Sequence, residues 1–177
     1  WTLHDQWPFC GAEHYTFSDK ENYIERYISG YSDFNKPSYE KGIDINRKTW
    51  NRKKIAWKRP MNIICPSNWI ASCARKSVLM KDWNIKVIPN PINTDFWIPI
   101  QKRKSRLKLQ LPKDKTIILF GAIGGFRDKR KGSELLKEAL LILKENFLKE
   151  KAFNIQLVVF GQTPPKTSTN YGFPIKY

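Results

Sequence analysis

Apolar residues recur along this chain in short blocks, and the spacing within the blocks switches between that of strands and that of helices. The opening Trp1-Thr2-Leu3 reads as the end of a strand. Residues 16 to 46 carry Tyr, Ser, Asp, Asn and Gly with weak periodicity, and SGYSDFNKPSYEKGID predicts a long loop with turn signals. NRKTWNRKKIAWKR, residues 46 to 59, predicts a short basic helix stopped by Pro60. MNIICPS is a short apolar run ending at Pro66-Ser67, a buried strand with Ser67 as the N-cap of the next helix. NWIASCARKSVLM then places Trp69, Ile70, Cys73 and Ser77 on one helical face, with Arg75 and Lys76 outside it. IKVIPNP, residues 85 to 91, predicts another strand, ended by Pro89 and Pro91. Strand, helix, strand suggests a parallel βαβ unit.

Residues 92 to 115 form a connector with two prolines, a basic cluster and a short helical KSRLKLQL, and a domain boundary near Trp97 to Pro99 fits. KTIILFGA reads as a clean buried strand. In KGSELLKEALLILKENFLKE, residues Leu135, Leu136, Ala139, Leu140, Leu143 and Phe147 form a broad apolar stripe at helical spacing. NIQLVVFGQ is the next parallel strand, and the tail TPPKTSTNYGFPIKY reads as a loop leading towards another. The pattern is that of an α/β protein with two βαβ-type segments, 1–97 and 98–177, each cut off at an outer end.

Composition narrows the picture. Apolar residues make up 41% and aromatics 14% of 177 residues, which is enough for a core and argues against wholesale disorder. No apolar run approaches a membrane span, and WTLHDQWPFCG has neither a charged n-region nor an apolar h-region. Cys10, Cys65 and Cys73 are an odd set without CxxC spacing, which argues against a disulfide framework or a zinc site and for a reducing, cytoplasmic compartment. The net charge of +16 favours anionic partners: nucleic acid, anionic lipid or phosphorylated substrates. Equally, Lys, Ile and Asn enrichment spread over the chain is what an AT-rich genome produces. Within 46–59, Trp50, Ile55 and Trp57 sit among seven Lys and Arg. That is either a solvated helix anchored by its tryptophans or a contact for an anionic surface such as a bilayer.

Two places carry candidate chemistry. Between TIILFGA and SELLKEALLIL lie Gly124, Gly125, Arg127, Lys129, Arg130, Lys131 and Gly132. In a parallel sheet this loop lies at the carboxyl end of its strand, where ligands bind, and it precedes a helix N-terminus whose free N–H groups favour an anion. A charge-assisted contact to phosphate contributes roughly 1.5–3 kcal/mol, so two or three could hold a diphosphate. The loop matches neither GxxxxGK[ST] nor GxGxxG, and a glycine turn with solvated cations is the plain alternative. The second place is His4-Asp5, just after a strand end. His4 could act as acid, base or polar contact to a sugar, and Asp5 could orient it or accept a hydroxyl proton; a histidine satisfied by local hydrogen bonds is the plain alternative. His14 lies ten residues on, without the further ligands that a metal site needs.

Taken together, TLHDQW, GAEHY, ICPSNWIASCARKS, VIPNPINTDFW, ILFGAIGG, RDKRKGSELLKEAL and LVVFG follow one another as in family 4 glycosyltransferases. The chain resembles the bacterial surface-polysaccharide type, such as colanic acid enzymes, over most of its length except residues 16 to 46. The resemblance implies a GT-B-like fold, here parts of two Rossmann-like domains, both incomplete: an acceptor-binding portion, 1–97, and a nucleotide-sugar-binding portion, 98–177. It implies retaining transfer of a sugar from a UDP- or GDP-sugar to a glycan or lipid-linked acceptor, with no cofactor and no protein-held metal. His4 matches the family's active-site histidine, and Lys131 its donor-diphosphate lysine. The family's arginine directly after the strand's glycine is Ala122 here, so its role is unfilled or passes to Arg127 or Arg130. The usual NG and following D of the interdomain passage are replaced by Asn90-Pro91 and Asn93. The family's glycine-rich loop would precede residue 1 and its E-x7-E region would follow residue 177, so the expectation is an internal piece, inactive alone.

Two other classes remain. A nucleic-acid-binding module would use the excess charge and the interleaved Trp and Tyr, but the cations form no single stripe and no known binding motif is present, so no nucleic acid is expected. A membrane-surface module built on 46–59 is compatible with a transferase acting on a lipid-linked acceptor at the inner face of the cell membrane.

Overall fold

Alternation decides the first sheet. In β1 (Asn62–Cys65), Ile63 and Cys65 are fully buried, whereas Asn62 is exposed. The computed structural model describes residues 1–16, 25–121, 123, 129–147, 154–165 and 170–177, and in it the chain divides into two compact units, Trp1–Trp97 and Ile98–Tyr177. β1 runs parallel to β2 (Asn84–Val87), with Ile63 opposite Ile85 and Cys65 opposite Val87. On its other edge Thr2 bridges Ile64, also in parallel: Leu3 N–H donates to Ile64 O and Ile64 N–H to Trp1 O, each at 2.9 Å. β1 is therefore the middle of three parallel segments. The second strand ends at Val87, before Pro89 and Pro91.

Around this sheet the helices are placed by caps and small residues. Ser67 Oγ accepts from Ile70 N–H and starts α3 (Asn68–Lys76), and Ala71 and Ala74, both fully buried, let the helix approach closely. Trp69 departs from the expected face and is 59% exposed, while Ile70, Cys73 and Ser77 point inward. Asp44 accepts from Arg47 N–H at 2.8 Å and caps α2 (Ile45–Ala56). Trp50 is buried, and Trp57, just past the helix, packs edge-on to the rings of Trp1 and Trp7. The tryptophans thus anchor α2, while Ile45 and Ile55 face out.

The segment read as a loop up to residue 46 contributes to the core. It contains α1 (Arg26–Ser29), and Tyr27 and Tyr31 join Leu3, Phe9, Trp50, Ile63 and Met80 in one buried cluster. Arg26 is 3% exposed. Its Nη2 lies 2.5 Å from Asp44 Oδ2, its Nε donates to Asn35 Oδ1 at 3.0 Å, and its guanidinium covers the Tyr31 ring at 4.3 Å. A buried charge of this kind persists because it is paired and hydrogen-bonded.

In the second unit, β3 (Thr116–Gly121), β4 (Ile155–Phe160) and β5 (Ile175–Lys176) form a parallel sheet in that order, preceded by α4 (Lys102–Lys108). β3 is not the fully buried strand expected, since Leu119 is 64% exposed. On the covered face Ile118 and Phe120 pack with Leu157, Val159 and Tyr171 beneath α5 (Ser133–Phe147). Burial of Leu157 and Val159 contributes about 1.5–3 kcal/mol each. The α5 stripe is rotated from the expected one: Leu140 is buried and Leu136 and Leu143 half-buried, whereas Leu135 and Ala139 are exposed. No described helix is long and apolar enough to cross a membrane.

Candidate active site

At Leu3 the first parallel segment ends, and residues 4 to 16 cross the carboxyl edge of the sheet. Hydrophobic anchors hold this loop from below, since Leu3, Phe9 and Cys10 are fully buried. Gln6 organises it from within. Its N–H donates to His14 O at 2.9 Å, its carbonyl accepts from Phe9 and Cys10 N–H, and its Oε1 accepts from Thr16 N–H at 2.8 Å. Gly11 passes so close to α2 that a Cβ would stand 2.5 Å from Asn46 O. The Gly11 N–H donates to the Tyr31 hydroxyl at 3.0 Å, which in turn donates to Glu13 Oε1.

Lys53 closes the frame. It is 5% exposed, and its Nζ donates to Cys10 O at 3.0 Å, to Gly11 O at 2.6 Å and to Trp7 O, while lying 3.8 Å from the centre of the Trp7 ring. An ammonium has three donors, and here three carbonyls receive them. Burial pulls the Lys53 ammonium down to about 8, against the opposing charges of Glu13 and Asp5. Burial also pushes the Cys10 thiol up, helped by the charge of Glu13, so this cysteine is protonated and unreactive.

The expected His4–Asp5 pair is adjacent in sequence but not joined. Asp5 Oδ1 accepts from Trp7 N–H at 3.0 Å, and Asp5 Oδ2 lies 2.6 Å from His14 Nδ1. His4 is exposed, and no side-chain hydrogen bond joins it to another described residue. Chemically, the loop presents one imidazole with no side-chain hydrogen bond among the described residues and one carboxylate–imidazole couple, at the edge where ligands of parallel sheets bind.

The second candidate place begins at Gly121, where a Cβ would collide with the Phe160 ring at 2.1 Å. A larger residue at this position would have to turn aside the Phe160 side chain, which is 57% exposed, where β3 and β4 end side by side. Gly124, Gly125 and Arg127, named above as phosphate-binding residues, lie outside the described residues, as does Ala122. A 3₁₀ turn, Lys129–Lys131, then leads into α5, with Gly132 at a left-handed φ of 74° that favours glycine. Lys131 and Arg130 are exposed and sit immediately before the α5 N-terminus. A cation there and the first-turn N–H groups act on an anion in the same sense. Among the described residues no three His, Cys, Asp or Glu side chains are grouped so as to hold a metal.

Lys53 and the Asp5–His14 couple were not expected from sequence. Lys53 looked like one of seven interchangeable cations. It does, however, stand three residues after Trp50 and four before Trp57, on the helical face those tryptophans bury. No comparable signal links Asp5 to His14. No protein-family model, curated protein or solved structure matches the chain.

Proposed function

We infer that this chain is part of a retaining glycosyltransferase that moves a sugar from a UDP- or GDP-sugar to a glycan or lipid-linked acceptor. The observation that carries the reading is the run from β3, ending at Gly121, and the Lys129–Lys131 turn into α5, at the carboxyl end of a parallel sheet. Lys131 and the helix N-terminus would stabilise the charge that builds on the departing diphosphate, with Arg127 or Arg130 as the second cation and Gly124 and Gly125 allowing close approach. In front-face transfer, the acceptor oxygen bonds to the anomeric carbon as the bond to the diphosphate oxygen breaks; the electron pair leaves with the diphosphate, and its departing oxygen takes up the acceptor's hydroxyl proton. His4 and Asp5 would face the transferred sugar and the acceptor.

UDP and GDP binding by the chain, followed by titration calorimetry, tests this. Lys131→Ala should weaken binding roughly tenfold, as expected for losing one exposed charge-assisted contact. An oligonucleotide that binds more tightly than either nucleotide, with no effect of Lys131→Ala, would sink the reading.

A contact with an anionic bilayer, at the inner face of the cell membrane, fits a lipid-linked acceptor. From residue 45 to 81 there is no Asp or Glu and there are ten Lys and Arg. Along α2 the exposed residues include Ile45, Lys48, Arg52, Lys54 and Ile55, which mixes cations with apolar side chains. Trp50 is buried and Trp57 half-buried, so neither offers the stacking platform that a nucleic-acid reading of this helix requires.

A further inference from the structure

Resting on the transferase reading, we propose that the Asp5–His14 couple is the element that receives the acceptor hydroxyl, with His14 Nε2 accepting a hydrogen bond from it and Asp5 acting as the positioning residue. The geometry separates this couple from an ordinary surface ion pair. Asp5 is held on both oxygens: Oδ1 takes the Trp7 N–H at 3.0 Å and Oδ2 faces His14 Nδ1 at 2.6 Å. A carboxylate only accepts, so Nδ1 must carry the proton, and in the neutral ring Nε2 is then left with its lone pair. The histidine backbone is fixed as well, because His14 O accepts from Gln6 N–H, and Gln6 is 3% exposed.

Exposure is unevenly divided within the couple. The His14 side chain is 64% exposed and that of Asp5 27%, so the buried end sets the tautomer and the free end meets solvent. Beneath them Lys53 ties down the carbonyls of residues 7, 10 and 11, which lie between the two partners in sequence. A rigid frame with a single lone pair aimed outward is suited to a neutral hydroxyl donor, such as that of a sugar. It is poorly suited to the diester-type diphosphate of a nucleotide-sugar, which offers no proton to Nε2. His4 has no such partner among the described residues.

The chain has only two histidines, so their ring nitrogens can be told apart directly in a 15N-labelled sample. Long-range 1H–15N spectra should show His14 locked with its proton on Nδ1 and His4 as a mixture of tautomers. Methyl α-glucoside is the probe: its addition should move the His14 Nε2 resonance. Asp5→Asn should return His14 to a mixture and reduce the glucoside response at least threefold, while a thermal melt reports whether the variant is folded. If His14 in the unaltered chain is itself a mixture, or is locked but silent to glucoside, or if His4 responds in its place, the assignment fails whatever the variant does. A locked, responsive His14 in a chain that binds neither UDP nor GDP would sink the transferase reading and leave a sugar-binding loop. Nucleotide binding through Lys131 with a silent His14 would do the reverse.

Discussion

Lys53 allows the frame of the 4–16 loop to be tested by pH. Its pKa falls from 10.5 to about 8, first because burial disfavours the charged amine, with the carboxylates of Glu13 and Asp5 opposing. Below pH 8 both the folded and the unfolded chain hold the proton, and the fold carries the whole cost of the buried charge. Between pH 8 and 10.5 the unfolded chain retains a proton that the folded chain has released, so stability rises with pH. The full difference corresponds to roughly 3 kcal/mol, of which about 1 kcal/mol falls between pH 8 and 9. That narrow window is the useful one. Cys10, Tyr27 and Tyr31 are displaced upward by burial, so above their ordinary values of 9.0, 10.0 and 10.0 the unfolded chain ionises first and stability is lost. Lys53→Met removes the titrating amine and leaves the carbonyls of Trp7, Cys10 and Gly11 without their donor, at about 1–3 kcal/mol for each that stays buried. Urea unfolding followed by tryptophan fluorescence at several pH values from 7.5 to 9 measures both effects. Over the upper part of that range the unaltered chain should gain about 1 kcal/mol relative to the variant, which should be less stable throughout; the early ionisation of Cys10 and Cys65 in the unfolded chain is common to both and cancels in the difference. Equal slopes for the two proteins would show that the amine does not titrate in the frame, and the account of the cage would be wrong.

Three further outcomes follow from other contacts. Gly11→Ala places a methyl 2.5 Å from the Asn46 carbonyl oxygen and should lower stability by roughly 2 kcal/mol or more, read as a drop in Tm; an unchanged Tm would mean that α2 and the loop can part without cost. Arg26→Met leaves Asp44 buried and unpaired, which should cost about 3–5 kcal/mol at neutral pH. Burial opposes ionisation of Asp44, yet hydrogen bonds and charge from Arg26 and Arg47 hold its carboxyl below 3.8, so the pair's contribution is present above that value and is lost as pH falls through the depressed one. Equal losses for wild type and variant on acidification, seen in urea titrations, would contradict this. Co-sedimentation with vesicles containing phosphatidylglycerol should fall at least tenfold in Lys48→Glu/Arg52→Glu/Lys54→Glu, at about 1 kcal/mol for each cation near the surface; binding that survives charge reversal would remove α2 from the contact.

The parallel arrangement was legible because its signals are local. NIIC and NIKV are short apolar blocks, and Pro66-Ser67 both ends the first strand and caps the next helix. The orientation of each helix was less legible, since periodicity defines a stripe but not its edges. Trp69 and Leu135 extend the apolar stripes of α3 and α5 by one residue each, and both face out. The loop before residue 46 concealed its contribution for a different reason. Arg26 and Asp44 are eighteen residues apart, and nothing local distinguishes this arginine from a solvated one. The candidate site was legible as an address rather than as a set of contacts. His4-Asp5 was expected just after a strand end and the structure has it there, but the contact of Asp5 with His14 depends on a turn closed by Gln6, which sequence spacing does not reveal.

The 4–16 loop itself bears on why such a turn exists. Connections between elements in compact domains are mostly four to six residues, and longer ordered ones are usually functional. The path from Leu3 to α1 is longer than that, and ordering its described part, residues 4–16, costs roughly 1–2 kcal/mol per residue in backbone entropy. That cost is offset here by the burial of Leu3 below the loop and of Phe9 and Cys10 within it, and by three carbonyls held on one lysine. A shorter connection would avoid the cost altogether and would need no buried ammonium. What the longer path adds is two imidazoles at the sheet's carboxyl edge, one of them oriented by a carboxylate held on both of its oxygens. The strength of the frame and the exposure of what it carries therefore have one explanation, a loop shaped by what it must present. That explanation commits Lys53 to a measurable part: Lys53→Met should disturb the His14 tautomer as well as stability, and a Lys53→Met chain with an unchanged His14 spectrum would separate frame from site.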